Sequence, residues 1–133
     1  MKPVLPIRIT LTIVIAVILF HVCILFGIVP YDITWGGRLK SDEEMYVFES
    51  ISIAINLLLG SVLLIKGNYI KPIIRLRIVN VILWIFFVLF ALNTVGNLFA
   101  ETTLEKSFSV LTLALSVLIW IILKAKHESF TRK

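Results

Sequence analysis

Two ionisable side chains, His21 and Glu49, stand inside long apolar stretches of this chain and define most of the chemistry open to it. An imidazole and a carboxylate can exchange a proton or hold each other as a pair. Both need to lie within hydrogen-bond reach, or one water, of their partner. Ser52 and Asn56 follow Glu49 at spacings that put all three on one helical face. Asn93 and Asn97 lie one turn apart with Gly96 between them, and Ser109, Thr112 and Ser116 form a stripe that Glu105 begins. Ionisable groups inside a membrane are costly and point first to function. Hydroxyls and amides serve equally as interhelical glue, at about 0.6 kcal/mol each.

Each charged candidate has two readings. Glu49 can pair with Arg38, Lys40 or Lys106 at the rim of a bundle. The alternative is a carboxylate held inside the bundle. His21 is either hydrogen-bonded to a neighbouring helix or a proton carrier. Cys23 stands alone, which suits packing and excludes dithiol chemistry. No His/Glu motif has metal-ligand spacing and no glycine loop is built to cradle phosphate, so neither metal nor cofactor is expected. Small multidrug carriers are also four-helix chains of this size, but their essential carboxylate lies in the first helix, where this chain has none.

The elements that must position these groups follow from composition. Of 133 residues, 59% are hydrophobic and 16% charged, with mean hydropathy +1.04. Soluble domains run about 45–50% apolar and about 25% charged. A disordered chain, a coiled coil and a disulfide scaffold are excluded, and no nucleic-acid partner is expected. Four apolar runs, 9–29, 46–65, 78–100 and 107–123, contain one charged residue, Glu49. Each approaches the roughly 20 residues of a spanning helix and is apolar around most of its circumference. The expected fold is all-α: a single four-helix transmembrane domain over 1–133, with helices over 7–29, 42–66, 72–100 and 104–124. The basic n-region (Lys2, Arg8) precedes too long an apolar stretch for a cleaved signal, so the first run is expected to stay as a helix.

Charge sets the expected orientation. Lys2 and Arg8, then Lys66, Lys71, Arg75 and Arg77, then Lys124, Lys126, Arg132 and Lys133 fall at the amino end, the middle connection and the tail. Arg38, Lys40 and Lys106 share the other connections with six acids. The positive-inside bias predicts an antiparallel up-down-up-down bundle in the cytoplasmic membrane, with both termini cytoplasmic. The net charge of +5 then divides into a basic cytoplasmic rim suited to anionic lipid headgroups and an acidic outer rim.

The connections are legible too. Pro30 ends helix 1, and Tyr31 and Trp35 suit an aromatic belt at headgroup level. Gly36-Gly37 permits a tight turn with positive φ. Ser41 with Glu44 reads as a capping box for helix 2. Lys66-Gly67-Asn68 ends that helix, and Pro72 suits the first turn of helix 3.

Trp35-Gly36-Gly37-Arg38-Leu39, then Glu44-Met45-Tyr46 through Glu49, and Asn93-Thr94-Val95-Gly96-Asn97 resemble segments of small uncharacterised four-span bacterial membrane proteins. The resemblance covers most of the chain. It implies a membrane location and a four-helix fold, and no activity.

Function is therefore read from depth. All four helices place polar groups at overlapping depths in the outer half, which suggests a pocket for a small or amphipathic ligand. Glu49, Asn56, Asn93, Asn97 and Thr112 would line it, His21 would form its floor, and Arg38 and Trp35 would stand near its mouth. A non-catalytic accessory or scaffold subunit is the alternative, with Trp84, Phe86, Phe87 and Phe90 of helix 3 packed on a partner membrane protein. A membrane-embedded acid–base enzyme using His21 and Glu49 is the third reading. A homodimer is compatible with each, and Gly96-x-x-x-Ala100 offers a small-residue face for one.

Overall fold

The computed structural model describes residues 3–35 and 38–125. Gly36-Gly37, the amino-terminal Lys2 and the tail cations Lys126, Arg132 and Lys133 lie outside these described residues. Four helices make up the fold, α1 (Val4–Leu25), α2 (Asp42–Lys66), α3 (Leu76–Leu98) and α4 (Thr103–Lys124). One short 3-10 turn over Tyr31–Ile33 interrupts the first connection. No strand occurs among the described residues. All four helices are long and apolar enough to cross a membrane. At 1.5 Å per residue they extend about 33–38 Å, against a hydrocarbon core of about 30 Å.

Their boundaries follow local chemistry. Ser41 accepts the backbone N–H of Glu44, and the Glu44 carboxylate reaches back to the N–H of Lys40. This completes the expected capping box, with the reciprocal bond one residue further out. A second cap starts α4: Thr102 accepts the Glu105 N–H and donates to its carboxylate. The Thr102-x-x-Glu105 spacing carries the same signal. α1 stops at Leu25 rather than near residue 29, because Gly27 takes φ +74 and turns the chain. α3 starts at Leu76, so Pro72 lies in the connection and not in the first helical turn. At the end of α2 the left-handed residue is Asn68 (φ 58), not Gly67. Gly67 is needed for space, since a Cβ there would stand 2.7 Å from the Tyr69 ring.

α3 and α4 share the most extensive interface, α1 and α2 the next, and α1–α4 and α2–α3 contacts complete the bundle. Its core joins all four helices through Ile7, Val14, Leu59, Leu63, Leu83, Phe86, Ile119 and Ile122. Phe86 is a core residue and Phe87 and Phe90 pack against that core, so only Trp84 of the expected aromatic docking face is exposed. A smaller apolar cluster of Ile24, Leu39 and Met45 closes the end of the α1–α2 pair.

A buried histidine–glutamate–tryptophan centre

Glu49 lies in the second full turn of α2, on the same face as Asp42 and Met45, and that face is turned towards α1. Its side chain is 0% exposed. His21 Nδ1 donates to Oε2 at 2.6 Å, and Trp35 Nε1 donates to Oε1 at 2.7 Å. One donor comes from α1 and the other from the connection. Of the two readings of Glu49, the structure shows the carboxylate held inside and not the rim ion pair: Arg38, Lys40 and Lys106 are exposed, and His21 and Trp35 are its partners. His21 is 16% exposed and packs edge-on to Phe20, which in turn meets Phe108 of α4 edge-on. The pair is thus walled by aromatic carbon on the α4 side.

Trp35 does more than sit at an interface. Its backbone takes φ 55, a conformation uncommon for a bulky residue, and its ring tilts against Phe48 at 5.2 Å. Thr34 is held by a bond to the Tyr31 carbonyl, and the Arg38 N–H returns to the Trp35 carbonyl. The connection therefore folds back so that the indole N–H enters the bundle while part of the ring stays outside. Nothing in the spacing of Trp35 and Glu49 signals this bond, because a loop has no fixed period.

The other expected lining residues separate. Asn93 is exposed on the outer surface of α3, and Asn97 is half-buried. Thr94, next after Asn93 and about 100° round the helix from it, is the one that turns inward, where its hydroxyl meets Thr112 at 2.9 Å. Asn56 donates to the Ser52 carbonyl of its own helix. Ser116 crosses to the Phe87 carbonyl at 3.2 Å. Every buried side-chain nitrogen or oxygen among the described residues has a partner. Of the expected site residues, the structure brings His21, Glu49 and Trp35 together.

Sequence reasoning also passed over Lys66. It is 7% exposed at the end of α2, and its ammonium donates to Asn80 of α3 at 2.7 Å. A lysine beside Gly67 reads as a loop cation; its burial depends on where α3 begins.

Two surface cavities lie away from the centre. One, of about 380 Å3, is lined by Ile65, Asn68, Pro72 and Arg75 among others. The second, of about 500 Å3, lies between the end of α1 and the start of α2. No group of three or more His, Cys, Asp or Glu able to hold a metal occurs among the described residues.

No protein-family model matches this chain, and no curated protein or solved structure matches it either. The site must speak through its own geometry. It consists of one buried carboxylate and two N–H donors from different elements, the His21 imidazole of α1 and the Trp35 indole of the connection.

Proposed function

We propose that this chain is a multi-pass membrane protein of the binding or carrier type, and that Glu49 receives the polar head of a small or amphipathic ligand from the outer side. The observation that supports it is the complete burial of Glu49 with both oxygens accepting N–H groups. Burying a carboxylate costs several kcal/mol even after relaxation, and a bundle of this size can be stabilised more cheaply by carbon. A ligand with an N–H donor, such as an amine, would take the place of the Trp35 indole and leave His21 in position. Trp35 is then the closing residue.

Antiparallel orientation, with both termini cytoplasmic, is part of this reading. The lysine and arginine distribution supports it, as do contacts that run in opposite senses along paired helices. Arg8 near the start of α1 reaches Tyr69 just beyond α2, while His21 near the end of α1 reaches Glu49 near the start of α2. In α3 and α4, Thr94 meets Thr112 while Phe87 meets Ser116. On this orientation the basic rim faces anionic lipid headgroups in the cytoplasmic leaflet.

The test uses a Trp84→Phe, Trp120→Phe background, in which Trp35 is the single tryptophan, in lipid nanodiscs. Titration with decylamine is expected to shift Trp35 emission, and Glu49→Gln is expected to abolish that shift. An emission shift that survives Glu49→Gln unchanged removes the site.

A second reading, the accessory or scaffold subunit, draws on the closed Thr94–Thr112 and Ser116–Phe87 bonds and on exposed Trp84. Stable co-purification with another membrane protein through α3, without ligand response, would favour it. The His21–Glu49 distance also satisfies the geometric condition for acid–base chemistry. Substrate turnover lost in both His21→Gln and Glu49→Gln would establish that third reading.

A further inference from the structure

The cavity of about 500 Å3 continues the α1–α2 seam beyond the buried pair. Ile24 and Leu25 stand three and four residues beyond His21, and Met45 and Tyr46 stand four and three before Glu49. Both pairs therefore lie one helical turn above the pair on the same seam. The apolar cluster of Ile24, Leu39 and Met45 separates the two. Above that floor, the cavity is walled by Phe26, Tyr31 and Tyr46 and carries two carboxylates, Asp32 and Asp42. Among the described residues, no lysine or arginine lines it.

We infer that this cavity is an outer binding site for an organic ammonium group carrying a short apolar or aromatic substituent. The inference rests on reading this end of the bundle as the ligand-facing end. Aromatic faces attract a cation through the ring quadrupole, and this attraction is strongest for alkylated ammonium, which is poorly hydrated. The carboxylates supply sign, and the Ile24–Met45 floor takes the substituent. The start of α2 opposes a cation with about half a unit of positive charge. Asp42, Glu43 and Glu44 in its first turn more than offset that. The Tyr31 phenol registers the balance: its pKa is raised by partial desolvation first, then by the charge of Asp42 and a hydrogen bond to that carboxylate, and then by the charges of Asp32 and Glu44. The volume suits a small amine and falls in the ordinary range for ligand sites, about 300–1,000 Å3.

The probe is benzyltrimethylammonium, which has no N–H and cannot replace Trp35 at Glu49. Its binding to the full chain is measured by calorimetry in nanodiscs of phosphatidylglycerol with phosphatidylethanolamine and, in parallel, in nanodiscs with the same share of phosphatidylglycerol and phosphatidylcholine as the other lipid, so that the surface potential is equal. Saturable binding is expected in the phosphatidylethanolamine nanodiscs. Asp32→Asn with Asp42→Asn should weaken it about tenfold, Tyr46→Ala should weaken it a few-fold, and Glu49→Gln should leave it unchanged. Equal affinity in phosphatidylcholine identifies a free ammonium compound as the occupant. Weaker affinity there identifies the choline headgroup as a competitor for the same site. Absence of saturable binding, or binding indifferent to the aspartate pair, overturns the inference. No Trp35 emission response to decylamine in the protein with Glu49 intact, alongside saturable benzyltrimethylammonium binding, would instead count against the Glu49 reading alone.

Discussion

With both carboxylate oxygens engaged, Glu49 makes His21 and Trp35 dependent on one acceptor. Removing one partner from a buried hydrogen bond leaves the other desolvated and unsatisfied, whereas removing both is far less costly. Trp35→Phe keeps the ring against Phe48 and deletes the N–H, and should lower stability by about 1–3 kcal/mol in detergent unfolding. Trp84→Phe, on an exposed face, should stay within about 0.5 kcal/mol. His21→Leu and Glu49→Leu should each destabilise. Combined, they should cost less than their sum, with a coupling of about 0.5–3 kcal/mol. Strict additivity would show that the 2.6 Å bond carries no net energy. The chain named these residues without ambiguity: an acid and an imidazole in apolar runs stand out by type alone. It did not name their partner, because Trp35 reaches Glu49 through a loop.

At the scale of elements, the two helix starts are fixed by the same device. Ser41→Ala and Thr102→Ala should each cost about 1 kcal/mol, seen as faster amide exchange in the first turns of α2 and α4. Both caps were written in the sequence as a hydroxyl three residues before a glutamate, although only the first was expected from it. Helix ends elsewhere depended on backbone handedness. Gly27 at φ +74 has open space around it, so Gly27→Ala meets no clash but carries the left-handed strain of about 1–2 kcal/mol. The connection between α1 and α2 also has a pH signature. The Tyr31 pKa is raised in the folded chain, so the unfolded chain loses this proton first. Stability is fully present below about pH 10 and is lost as pH rises through the folded value. Tyr31→Phe should remove that part of the alkaline loss, and ultraviolet titration of the phenol gives an independent reading.

At the scale of the molecule, the exposed surface is mostly aliphatic and aromatic, from Leu5 and Ile15 through Leu92 to Val110. In lipid such a surface has no drive to collapse, so the bundle is held by packing and by the few polar bonds that cross between helices. Among these bonds, His21–Glu49 and Thr94–Thr112 lie towards one end, Lys66–Asn80 towards the other, and Ser116–Phe87 between them. Asn80→Leu should leave the Lys66 ammonium without its amide acceptor and lower stability by about 1–3 kcal/mol. The proposed orientation has a direct check: a reporter active only in the cytoplasm should work when fused after Lys133 and fail when inserted beside Arg38. The reverse pattern would place the acidic cavity on the cytoplasmic side and remove the outer-site reading.

The sequence by itself determined that the chain forms four long apolar helices, because run length and unbroken hydropathy are local properties that no neighbour can reverse. It also determined that Glu49 and His21 are its unusual residues. Only the tertiary structure decided which polar groups meet. Hydropathy in a span that is apolar all round carries almost no information about rotation, so a turn of about 100° between adjacent residues exchanged Asn93 for Thr94 at the interface with α4. Packing set that rotation, and with it the difference between a wide polar pocket and one carboxylate closed in by a histidine and a tryptophan.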